Sequence, residues 1–167
     1  MRLIDETQIV SGFVPVDTQT AGNPGDAVSL KNYDHLTVLF FKGAGVAGDD
    51  PVLTFEQGTD VAFGTAKNLA TITEYWHKQG TLTAVGTFTN VAQSASQTVT
   101  LNATSAESQG LYVFEIDASD LDVASGYDCV RVTVADTGNA GAQLGAMLYI
   151  LSGPRHAGAV MPSAIVD

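Results

Sequence analysis

Apolar and polar residues alternate one by one along most of this chain, and Gly, Asn, Asp and Ser clusters separate the alternating runs. Period-2 patterning puts successive side chains on opposite faces of a strand, and no stretch holds a 3.6 period long enough for an amphipathic helix. The pattern therefore confines the chain to sheets. In "DHLTVLFFKG" (34–43), Leu36, Val38 and Phe40 share one face while Leu39 and Phe41 share the other. Apolar residues on both faces predict a central strand covered on both sides.

The remaining runs fit the same scheme. "TQIVSGFVPV" (7–16) predicts a strand, and "PVLTFEQG" (51–58) one with Leu53 and Phe55 inward and Thr54 and Glu56 outward. "LATITEYW" (69–76) alternates more loosely and closes on a loop "HKQG"; "TLTAVGTF" (81–88) and "QTVTLN" (97–102) are Thr-rich strands. "GLYVFEID" (110–117) aligns Tyr112, Phe114 and Ile116, and "YDCVRVTVAD" (127–136) turns Val130, Val132 and Val134 inward. "AQLGAMLYILS" (142–152) aligns Leu144, Ala146, Leu148 and Ile150 on one face. Between them, "ASDLDVASG" predicts a single helical turn capped by Asp117 or Ser119. About nine strands at this spacing read as one all-β domain, a single antiparallel β-sandwich of jelly-roll or Ig-like type. The predicted organisation is an N-terminal strand or arm over 1–26, the sandwich over 27–152 and a C-terminal arm over 153–167.

Charge narrows the partners. Eighteen acidic residues against seven basic give a formal net charge of −11. Phosphate backbones and anionic lipid surfaces are bound by Lys and Arg, so neither nucleic acid nor membrane is an expected partner. With one cysteine, Cys129, no intrachain disulfide is possible. The first ten residues lack the basic start and apolar stretch of a signal peptide, and no run approaches a membrane span.

Chemistry is sparse. His35, His77 and His156 stand far apart, each without a companion at metal-ligand spacing, and no catalytic motif is present. Asp117, Asp120 and Asp122 could meet on a calcium ion, but their spacing lacks the turn Gly and closing Glu of an EF-hand, so a capped turn is the favoured reading. Tyr127 and Cys129 have the Tyr-x-Cys spacing of the immunoglobulin tyrosine corner without a second half-cystine. No enzymatic activity, cofactor or metal is expected. Pro154 cannot donate to a strand ladder, so Gly153-Pro154 is read as the end of the last strand. Arg155, scarce as a cation here, is read as a bridge to a carboxylate of this chain or a neighbour. The apolar tail beyond it is the segment expected to touch another subunit. The residues assigned to partner contact are Trp76, Pro154, Arg155, His156, Val160, Met161 and Ile165.

Three segments carry a resemblance. "VSLKNYDHLTVLFFKGAG", "GYDCVRVTVADTG" and "LGAMLYILSGPRHAG" are similar to the opening, penultimate and last strands of head decoration or cement proteins of tailed bacteriophages. The likeness runs from about residue 27 to 158 through short, degenerate motifs, and the middle "TEYWHKQGTLTAVGTFTNVAQSASQ" departs from it. It implies a virion structural protein made in the host cytoplasm, which binds the major capsid protein and copies of itself and stabilises the head by contact. The alternative is a carbohydrate- or receptor-binding sandwich of a head or tail fibre, with Trp76 in a sugar-stacking platform.

Overall fold

The computed structural model describes residues 3–19, 22–101, 107–135, 141–155 and 161–165. In chain order the strands are β1 (Thr7–Asp17), β2 (Asn23–Pro24), β3 (Val28–Ser29), β4 (Tyr33–Lys42), β5 (Val52–Gly58) and β6 (Ala66–Asn68). There follow β7 (Ile72–Gly80), β8 (Thr89–Ser96), β9 (Thr98–Thr100), β10 (Gln109–Asp117), β11 (Cys129–Ala135) and β12 (Leu144–Pro154). One helical turn, Leu3–Glu6, precedes β1, and two 3-10 turns link β10 to β11.

The strands form two antiparallel sheets packed face to face, as the alternation predicts. The front sheet runs β1-β12-β4-β10-β7-β8 and the back sheet β2-β11-β5-β6. On the back sheet, β2 and β3 share one edge of β11, and β6 and β9 share the far edge of β5. Each of these pairs therefore acts as one interrupted strand. Counted that way, the order β1-β12-β4-β10 over β2/β3-β11-β5-β6/β9 is that of a jelly roll. The hairpin β7–β8 is appended beside β10.

Side chains from both inner faces fill the core. Leu36, Val38, Phe40, Tyr112, Phe114, Leu53, Phe55, Val130, Val132 and Val134 are fully buried, on the faces the alternation assigned them. Each large apolar side chain so buried contributes roughly 1.5–3 kcal/mol. Phe114 sits between Phe55 and Tyr75 at centroid distances of 5.1 and 5.4 Å, which ties the two sheets together.

The structure departs from the sequence reading in several places. β4 is central, between β12 and β10, but it is covered on one side only, with Phe41 50% exposed on the other. In β12 the aligned Leu144, Ala146, Leu148 and Ile150 do share one face, which is the outer one, and Met147, Tyr149 and Leu151 enter the core. "HKQG" belongs to β7, where His77 to Gly80 pair with Tyr112 to Gln109, and His77 packs on the Tyr75 and Tyr112 rings. "TLTAVGTF" is a connection rather than a strand. The strand is the next stretch, β8, an exposed edge with no apolar stripe to announce it.

The stretch 1–26 supplies β1 to the front sheet and β2 to the back sheet. β12 runs through Pro154, which lies opposite Tyr33, and Gly153 before it takes a φ of +64° that favours glycine. Residues 161–165 fold back on the sandwich. Ala164 is buried, its carbonyl accepts from Ser29 N–H at 2.7 Å, and Tyr33 Oη donates to the Pro162 carbonyl.

Candidate protein-contact surface

Paired residues of an antiparallel sheet point to the same side, so the register can be read as rows across the outer front face. The middle row is Leu148, Leu39, Val113 and Trp76, flanked by Ser11 on β1 and Asn90 on β8. The row toward one end is Ala146, Phe41, Leu111 and Lys78. Toward the other end it is Ile9, Ile150, Thr37 and Glu115, with Glu74 on the same face of β7. The middle row holds no charge at all. Ile9 is 40%, Leu148 41% and Leu144 61% exposed, so the apolar band is open to solvent. Contiguous exposed apolar patches mark contact sites.

The outer back face contrasts with it. There Arg131 donates through Nε and Nη2 to Glu56 Oε2 at 3.2 and 2.8 Å, and its guanidinium stacks over Phe63. Lys67 bonds Asp122 Oδ2 and lies 4.1 Å over the Tyr127 ring. Those cations are satisfied by this chain's own carboxylates and rings. Polar pairs of this kind make a solvated face.

The charged end of the front face is built around His35. Its Nδ1 lies 2.7 Å from Asp117 Oδ1 and its Nε2 2.6 Å from Glu115 Oε2, while Thr37 Oγ1 donates to the same Glu115 oxygen. Partial burial opposes a charge on the ring, but the hydrogen bonds and charges of Asp117 and Glu115 outweigh it and hold the imidazole above its ordinary pKa. Acid residues thus dominate this end, and Lys78 stands at the other.

Two hollows open on this face. The larger, about 420 Å3, lies among Pro15, Phe41, Leu82, Thr83 and Leu144. Leu82 is held there because its N–H donates to Gln109 Oε1 at 3.0 Å, so the 81–88 connection forms a wall along β7. The smaller, about 200 Å3, lies among Trp76, Phe88, Val113 and Glu115. Enclosing ligand pockets span about 300–1,000 Å3, so this second hollow is a dent in a contact surface. Beneath the larger one, Lys42 is fully buried and donates to the Ser108 carbonyl at 2.6 Å. Burial pulls its ammonium down to about 8, against an opposing pull from Asp49.

The predicted contact residues are scattered. Trp76 lies half-buried in the middle of the outer front face. Pro154 ends β12, and Arg155 Nε donates to this chain's own Asp34 Oδ1 at 2.8 Å. Met161 packs partly buried on the core, and Ile165 is 59% exposed. His156 and Val160 lie outside the described residues. The Asp117, Asp120 and Asp122 carboxylates serve different partners: Asp117 takes His35, Asp120 accepts from Asp117 N–H, and Asp122 takes Lys67. Among the described residues, no group of three or more His, Cys, Asp or Glu is placed to hold a metal ion.

Sequence reasoning missed the front-face band. The signal was present in the double-sided apolar pattern of 34–43, but it was read as cover on both sides. An uncovered sheet face and a buried one give the same residues.

No family model and no curated protein matches this chain. Among solved structures it is similar to a family two carbohydrate esterase from Cellvibrio japonicus, at 12% identity and a TM-score of 0.24. The match covers 93% of this chain and 36% of that one, so the chain spans about a third of its length. At that TM-score the likeness says nothing of fold or function.

Proposed function

We propose that this chain is a virion structural protein, a head decoration or cement protein of a tailed bacteriophage. It would act by contact with the major capsid protein and with copies of itself, after synthesis in the host cytoplasm. The observation that carries the reading is the uncharged apolar band across the outer front face of an otherwise acidic sandwich. A contiguous exposed apolar surface of that kind marks a site of contact with another molecule. The sandwich beneath it is fully packed, so the surface is presented on a rigid base. The resemblance of its strand segments to decoration proteins supplies the virion setting.

Co-sedimentation tests the proposal. Purified chain mixed with heads of the phage whose genome carries the gene is expected to pellet with them at a saturable ratio. A chain that stays in the supernatant at every concentration sinks the proposal.

A further inference from the structure

We propose that the outer front face takes a second copy of this chain, packed sheet on sheet with the strands of the two copies antiparallel. This names one partner for the face on which the proposed function rests.

Area comes first. Six strands about 4.8 Å apart and about eight residues long, at about 3.4 Å per residue, make a face of roughly 29 by 27 Å. That is about 780 Å2 in projection, against the roughly 800 Å2 per partner of a standard stable interface. The front face alone suffices for a dimer.

Complementarity then selects the arrangement. A two-fold axis crossing the strands at the level of Leu39 sets the middle row of one copy on the middle row of the other. Leu148, Leu39 and Val113 then meet their own counterparts, which is the self-matching contact a two-fold interface requires. The same operation brings Lys78 of each copy over the Glu74 and Glu115 corner of the other. A two-fold axis along the strands would instead set acidic end on acidic end. Charge favours the antiparallel choice.

The net charge of −11 sets a signature. Two acidic bodies repel over a Debye length of about 8 Å at physiological salt, while the apolar contact does not weaken as salt screens that repulsion. Dimerisation should therefore strengthen with NaCl.

Sedimentation equilibrium across a concentration series, with emission from the single Trp76, tests this. A dimer is expected, with Trp76 emission moving to shorter wavelength as the dimer fills and association tightening from low to high NaCl. Leu148→Glu is expected to return a monomer with unchanged thermal unfolding, since Leu148 is already 41% exposed. Lys78→Glu and Glu74→Lys should each weaken association by about tenfold, and the double swap should restore it. A monomer at all concentrations, a dimer indifferent to Leu148→Glu, or association that weakens with salt each overturns the proposal. Failure of the double swap to rescue overturns the antiparallel arrangement. A monomer that still co-sediments with heads overturns this inference and spares the proposed function; a dimer that never does so has the opposite meaning.

Discussion

Tyr149 shows how one side chain shapes its surroundings. It rises from the front sheet through the core, fully buried, and its hydroxyl accepts from Val132 N–H on the back sheet at 3.0 Å. The edge strand beside β11 breaks between β2 and β3 at that point, and Gly25 sits there because a Cβ would lie 2.6 Å from Tyr149 Oη and 2.7 Å from the Val132 carbonyl. Tyr149→Phe leaves a buried N–H without its acceptor, an expected loss of about 1–3 kcal/mol in urea-unfolding free energy. Gly25→Ala should destabilise through overpacking in the same urea-unfolding measurement. His35 gives a pH dependence instead. Its folded pKa is raised, so its stabilising contribution is complete below the unfolded value of about 6.5 and is lost as pH rises through the folded value. The melting-temperature gap between wild type and His35→Asn should therefore narrow as pH climbs from about 6 upward. Neither device is legible in the sequence, because each depends on residues far apart along the chain meeting in space.

At the scale of elements, legibility followed burial. β5 and β11 bury one face and turn a polar face outward, so their alternation is complete and their inward residues were assigned correctly. β10 buries Tyr112, Phe114 and Ile116, with Leu111 and Val113 on its outer side. β8 is a largely exposed edge with only Val91 packed against the core, so no apolar stripe marks it. The neighbouring 81–88 run borrowed a strand-like pattern because Leu82 and Phe88 lie over the front sheet. β12 left its inward face open for the opposite reason: both its faces are apolar, and only the register with β4 decides which one enters the core. The tail segment 161–165 is a small element with a structural duty, closing over Tyr33 and Ser29. Removing residues 161–167 takes away two hydrogen bonds and the Met161 and Ala164 contacts. A loss of about 2–4 kcal/mol is expected from chemical denaturation, with the fold retained by circular dichroism.

For the molecule as a whole, charge and topology set the terms. Eighteen acidic residues on one small body repel one another, and the half-buried ion pairs on the back face offset little of that. Raising NaCl from about 0.05 to about 0.5 M should therefore raise the melting temperature, measured at a protein concentration where the chain is monomeric. The jelly-roll order also joins the first strand to the last: β1 and β12 are antiparallel neighbours, with Thr7 opposite Ser152 at one end and Asp17 opposite Leu144 at the other. Tension applied at Thr7 and Ser152 would load their shared ladder one hydrogen bond at a time, like a zipper, rather than shearing all of its bonds together. Pressure spread over the broad face of the front sheet meets the whole packed core at once. A load on this protein is borne best across its broad face and worst at its two ends.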